Sequence, residues 1–185
     1  YNCSSLKSIN IGKSVTSIGS GAFAYCYNLE TVKYNAPNIS STSSYYTNMF
    51  YYAGTEGDGI ELIIGANVQR IPSYMFYSSY ANLKKVTFED QSICEYIGDY
   101  AFYNCSNLSS VNLPDSVNSI GSDAFYYCTS LESINLSNVE YIYSYAFYYC
   151  TSLESIVIPS TVTIIHSPLY TEERNDAFAF LSLKV

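Results

Sequence analysis

The chain repeats itself, and that periodicity limits the possible folds more than anything else in it. Residues 102–128 read Phe-Tyr-Asn-Cys-Ser-Asn-Leu-Ser-Ser-Val-Asn-Leu-Pro-Asp-Ser-Val-Asn-Ser-Ile-Gly-Ser-Asp-Ala-Phe-Tyr-Tyr-Cys, and closely similar text restarts at Phe125 and at Phe147. Phe23, Phe50, Phe76, Phe102, Phe125, Phe147 and Phe178 anchor successive copies, while Cys105, Cys128 and Cys150 step by 23 and 22 residues. Leu108, Leu131 and Leu153 keep the same step. A unit this short cannot bury a core alone. Stacked copies cover one another's open faces, so a period of this length predicts a solenoid.

One coil can be read residue by residue. In Leu131-x-x-Ile134-x-Leu136 the last two apolar positions alternate with Asn135, the mark of a short strand with one buried face. Pro114 and Pro159 follow their strands, where a missing N–H is tolerated at a turn. Next comes a Val-x-x-Ile pair, as in Val68/Ile71, Val117/Ile120 and Val139/Ile142. Gly19, Gly98 and Gly121 follow it and are expected to bend the chain with positive φ. Ala124, Cys128 and Leu131 then fall at i, i+4 and i+7, which predicts one to two helical turns with an apolar stripe.

The expected fold is therefore an α/β repeat. It is a right-handed solenoid of six to seven coils over residues 1–185, with a parallel sheet on one face and short helical turns opposite. Irregular stretches are expected at 35–59, where Asn35–Ser44 replaces the Val-x-x-Ile pair, and at 166–176, which reads as an insertion. Leu181–Val185 reads as a truncated last strand. The text starts and stops inside a repeat, which predicts a piece of a longer protein.

Charge and patterning narrow the function. The formal net charge is −8, whereas a nucleic-acid binder needs a basic face to neutralise phosphates. No apolar run approaches the ~20 residues of a bilayer span. The N-terminus lacks the basic-then-apolar pattern of a signal peptide.

Candidate chemistry is sparse. Five of the six cysteines (Cys3, Cys26, Cys105, Cys128, Cys150) share one repeat column, and Cys94 takes the Val column, so all six are expected inside as small hydrophobes. No Cys-x-x-Cys is present, so neither zinc nor a redox pair is expected. Free thiols are favoured over disulfides between stacked coils, whose geometry is strict. His166 is the only histidine, so a nucleophile–base pair would have to use it, and a loop histidine is the better reading. Glu56-Gly57-Asp58-Gly59 lacks the ligand spacing of a calcium loop. No cofactor, metal or catalytic residue is predicted.

Two surfaces remain as binding candidates. One is the outward column of the sheet, with Lys33, Lys85, Asn112 and Asn135, since solenoids often bind along such a face. The other is aromatic. Tyr51, Tyr77, Tyr103, Tyr126 and Tyr148 follow Phe in five successive coils, and tyrosine combines a rigid apolar body with a polar tip.

Ser109–Leu131, with Val111, Leu113, Pro114, Val117, Ile120, Gly121, Ala124, Phe125, Cys128 and Leu131, resembles the BspA-like class of bacterial leucine-rich repeats along nearly the whole motif. The resemblance implies a secreted or cell-surface protein of a host-associated microbe, taking part in adhesion. Its partner would be a protein or glycan, host extracellular matrix among them. The alternative is a structural spacer within a larger surface protein. The family carries no catalytic residues to transfer.

Overall fold

The computed structural model describes residues 1–40, 48–77 and 80–165. His166, the 166–176 insertion, Phe178 and the expected strand at 181–185 lie outside the described residues.

Strands alternate between two faces of the solenoid. They are β1 (Ser8–Ile11), β2 (Thr31–Tyr34), β3 (Ile60–Ile64), β4 (Arg70–Ile71), β5 (Leu83–Phe88), β6 (Tyr96–Ile97), β7 (Ser110–Val111), β8 (Ser119–Ile120), β9 (Ser133–Ile134), β10 (Tyr141–Ile142) and β11 (Ile164–Ile165). The first sheet runs β1-β2-β3-β5-β7-β9, and all its pairs are parallel. Its register aligns Ile9, Val32, Leu62, Val86, Val111 and Ile134 in one inward row. This is the alternating column that the repeat predicts. Ser155 and Val157 at the corresponding positions of the next coil do not form a strand, and Val157 is exposed.

A second parallel sheet, β4-β6-β8-β10-β11, was not foreseen. The Ile of each Val-x-x-Ile pair builds it, aligning Ile71, Ile97, Ile120, Ile142 and Ile165. Between the sheets runs the Phe column. Phe50, Phe76, Phe102, Phe125 and Phe147 are fully buried, and their rings stack coil on coil at 4.4–6.5 Å between centroids.

The third face corrects the expected helical turns, since the described residues contain no helix. Here alternate N–H groups leave their own coil. Phe125 donates to the Ala146 carbonyl and Tyr127 to that of Tyr148. The N–H groups between them close three-residue turns, Tyr126 to Asp123 and Cys128 to Phe125. A left-handed residue recurs every fourth position, Asp123 at φ 54° and Tyr127 at φ 57°. Each one ends a turn before a helix can propagate and turns its N–H toward the next coil. Ala124, Cys128 and Leu131 still share one buried side, because linked turns repeat every four residues much as a helix does.

Two further expectations need correcting. Gly19, Gly98 and Gly121 do not adopt positive φ. Gly98 and Gly121 are required for space instead, since a Cβ on either would strike backbone of the preceding coil. Cys26, Cys94, Cys105, Cys128 and Cys150 are buried as expected, but Cys3 is exposed.

Candidate functional site

The outward columns of the first sheet are half-exposed and largely self-satisfied. Register places Asn10, Lys33, Ile63 and Thr87 side by side, and Thr31, Glu61, Lys85 and Ser110 in the adjoining column. The two candidate lysines are engaged in ion pairs. Lys85 meets Glu61 at 3.0 Å in the neighbouring coil, and Lys33 reaches Glu89 at 2.6 Å. The Lys33 ammonium, helped by the Ala66 N–H at 3.1 Å, holds the Glu89 carboxyl below its ordinary range. Asn112 and Asn135 line a shallow cleft of about 480 Å³ with Ser133, Ser137 and Ser155.

The tyrosines form ladders. In the column that follows Phe, Tyr77, Tyr103, Tyr126 and Tyr148 stack ring on ring, with centroids 4.8, 4.6 and 4.8 Å apart. Tyr51 instead meets Tyr25 and Tyr52 edge-on. Flanking columns add Tyr74 on Tyr100 at 5.0 Å, Tyr127 on Tyr149 at 4.5 Å, and Tyr52 on Tyr80 at 5.3 Å. Stacking uses up the ring faces in the central column, where Tyr77 is buried and Tyr103, Tyr126 and Tyr148 are half-buried. Burial pushes the Tyr126 hydroxyl above its ordinary pKa, with smaller contributions from Tyr103 and Tyr148.

Eight tyrosines occupy left-handed backbone positions: Tyr25, Tyr52, Tyr74, Tyr80, Tyr100, Tyr127, Tyr145 and Tyr149. Bulky residues seldom adopt that conformation. The sequence gives one signal for it, the four-residue spacing between the two columns that carry it.

One column contains an odd member. Tyr74, Tyr100, Asp123 and Tyr145 are equivalent, all left-handed and joined coil to coil by Tyr74 N–H to Asp99 O, Tyr100 N–H to Ser122 O and Asp123 N–H to Ser144 O. Asp123 leaves a notch of about 330 Å³, lined by Tyr77, Tyr100, Tyr103, Tyr126, Tyr145 and Tyr148. Burial raises the Asp123 pKa to about 6; the Tyr100 hydroxyl opposes that shift and the Asp99 charge adds to it. Sequence reasoning singled out Tyr77, Tyr103, Tyr126 and Tyr148 of this lining and not Asp123.

The buried cysteines are free. The thiols of Cys105, Cys128 and Cys150 donate to the Phe carbonyls of the preceding coil, Phe76, Phe102 and Phe125, at 3.6, 3.2 and 3.1 Å. Burial pushes their pKa upward, to about 12 for Cys150, so they act as packing groups rather than nucleophiles. Among the described residues, no three His, Cys, Asp or Glu side chains converge to hold a metal ion. No helix among them is long and apolar enough to cross a membrane.

Comparison with known families finds six copies of the BspA type Leucine rich repeat region, over residues 1–91 and 69–175. No curated protein matches the chain. Among solved structures, a leucine-rich repeat protein from Bacteroides ovatus is 26% identical, with 87% of this chain and 51% of that one covered and a TM-score of 0.37. One from Eubacterium ventriosum is 20% identical, with coverage of 91% and 62% and a TM-score of 0.36. A leucine rich cell surface protein from Faecalibacterium prausnitzii is 19% identical, with coverage of 74% and 48% and a TM-score of 0.28. The chain spans less than two thirds of the length of each.

Proposed function

This chain belongs to the BspA-type leucine-rich repeat family, and from that premise we propose that it is a non-catalytic binding module of a cell-surface protein, adhesive toward host proteins or glycans. One observation carries the reading. The Tyr103–Tyr126–Tyr148 run of the ladder presents half-exposed tyrosine edges across three coils at 4.6 and 4.8 Å intervals. Such a strip offers rigid contact area with hydroxyls at its rim, at low entropic cost to the module. The net charge of −8 favours cationic partners and disfavours nucleic acid.

A second reading is a spacer that presents another domain. It is supported by the sheet face, where Lys7, Lys33 and Lys85 each pair with a glutamate of another coil, so that face requires no ligand. One screen separates the two. The purified chain, shown folded by circular dichroism, is tested against extracellular-matrix proteins and a glycan array. Saturable binding that drops at least tenfold in Tyr103→Ala/Tyr126→Ala supports the adhesive module. Binding lost in Lys33→Ala/Lys85→Ala instead moves the site to the sheet. No binding by the folded chain favours the spacer.

A further inference from the structure

We propose that the notch at Asp123 is a receptor for the guanidinium group of an arginine side chain displayed by a partner protein. The inference rests on the binding-module reading and assigns that module a specific subsite. The argument begins with the ladder. Tyr74 and Tyr100 stack nearly parallel, with 8° between their planes. One coil further the same backbone position, with the same left-handed conformation, carries a carboxylate in place of a ring. The column resumes at Tyr145. Tyr100 and Tyr145 are thus two coil steps apart, about 9–10 Å, and the missing ring leaves room for one planar group between them.

The notch defines which planar group fits. Asp123 lines it together with Tyr100 and Tyr145 of its own column and with tyrosines of the neighbouring ladder. Asp99 is the other carboxylate nearby, but the Tyr96 hydroxyl at 2.9 Å and the Ser122 N–H at 2.9 Å already occupy its Oδ1. Asp123 is half-buried, with the Tyr100 hydroxyl as a hydrogen-bond partner on one side and no cation beside it, and burial together with Asp99 raises its pKa against that hydroxyl. The site therefore supplies acceptors and a negative charge that lacks a counterion. A guanidinium is flat, permanently charged and weakly hydrated. It presents donors in a fork that matches a carboxylate and stacks on aromatic faces. An ammonium has the charge without the plane. A pyranose would need an open ring face as a platform, yet the faces of Tyr103 and Tyr126 are taken up by stacking.

The test titrates the whole chain with Nα-acetyl-arginine methylamide, following the probe's side-chain protons and the backbone amides of residues 99–103 and 122–127 by NMR. Saturable binding is expected, with the probe's δ-methylene protons moved upfield by the flanking rings. Asp123→Asn keeps the shape and should weaken binding at least tenfold. Asp123→Tyr completes the ladder at a position where tyrosine is already tolerated at 100 and 145, and should abolish binding while leaving the fold intact by circular dichroism. Equal binding of the acetyl-lysine counterpart would overturn the stacked-guanidinium assignment. Binding of methyl glucoside that survives Asp123→Asn would make the notch a sugar subsite and overturn it too. Binding of free arginine but not the capped probe would overturn the partner-protein source. A chain that binds matrix proteins or glycans but not the arginine probe fails this inference and leaves the adhesive reading standing. Arginine binding without any macromolecular ligand in the screen would do the reverse.

Discussion

Gly98 and Gly19 occupy the same repeat column, and the structure predicts opposite outcomes when each becomes alanine. A Cβ on Gly98 would lie 2.7 Å from the Ile71 carbonyl oxygen and the Pro72 carbonyl carbon, and closer still to the Ser73 nitrogen. These are backbone atoms of the preceding coil, so no side-chain rotation relieves the clash. An ordinary contact needs roughly 1 Å more, and the two coils must part there. The bonds at that junction are Gly98 N–H to Ile71 O at 3.0 Å, Tyr74 N–H to Asp99 O at 3.0 Å and Phe76 N–H to Ala101 O at 2.7 Å. Weakening them at about 1 kcal/mol each, on top of overpacking that costs about 1–3 kcal/mol, gives a loss of about 4–6 kcal/mol for Gly98→Ala. At Gly19 a Cβ meets nothing within 4 Å, and φ is not positive. Gly19→Ala should therefore be neutral, or stabilise by about 0.4–1 kcal/mol through the unfolded chain. Urea denaturation of both variants beside the parent chain measures the difference. The close-approach reasoning is refuted if Gly98→Ala unfolds at the parent midpoint, or if Gly19→Ala loses as much as Gly98→Ala.

Three further outcomes follow from the same packing. Phe125→Ala removes a fully buried ring stacked on Phe102 and Phe147 and should cost about 3–5 kcal/mol, read from the shift in denaturation midpoint. A thiol-specific reagent should modify the exposed Cys3 in the folded chain and reach Cys105, Cys128 and Cys150 only after denaturant is added; fast labelling of all six would contradict the buried column. Asp123 has a folded pKa of about 6 against an ordinary 3.8, so ionising it costs the folded state stability. That cost is absent below about pH 4, grows through pH 4–6 and is complete above pH 6. The side chain is partly solvated, which limits the effect to about 1 kcal/mol. Asp123→Asn should gain that amount at pH 7 and nothing at pH 4, and an equal gain at both values would contradict the desolvation account.

How much of this was legible in the text depended on the length of each pattern. The row from Ile9 to Ile134 and the Phe column recur at full repeat spacing, so stacking could be read from them directly. The second sheet consists of two-residue strands such as Ser119–Ile120. Two residues carry no alternation, and the Ile of a Val-x-x-Ile pair looks like any buried residue. The helical turns failed for a related reason. Ala124, Cys128 and Leu131 share a side in a helix and equally in turns linked by left-handed residues at 123 and 127, so spacing alone cannot separate the two. What decides is where the N–H groups go, and the inter-coil bonds of Phe125 and Tyr127 depend on a neighbour that a single coil's sequence does not display. The ion pairs of Lys33 and Lys85 were hidden in the same way, since each bridges different coils.

The left-handed tyrosines bring strain, ladder and notch into one argument. A bulky side chain in that conformation costs about 1–2 kcal/mol, while an aromatic pair contributes about 0.5–1.5 kcal/mol beyond its burial. Each stacked pair thus roughly offsets the strain of one member, and a column of tyrosines supports itself only while it is continuous. Left-handed positions in these columns also carry residues that tolerate the conformation, among them Asn104, one coil before Tyr127, and Asp123, between Tyr100 and Tyr145. They are not equivalent. Asn104 is exposed, so relieving strain there carries no electrostatic penalty. Asp123 gives up two ring contacts and places a half-buried carboxylate beside Asp99 without a cation. Relief of backbone strain would be served as well by a neutral asparagine, so the charge at 123 is the part that strain does not account for. A cationic group seated in the notch restores both missing terms, the stack and the counter-charge.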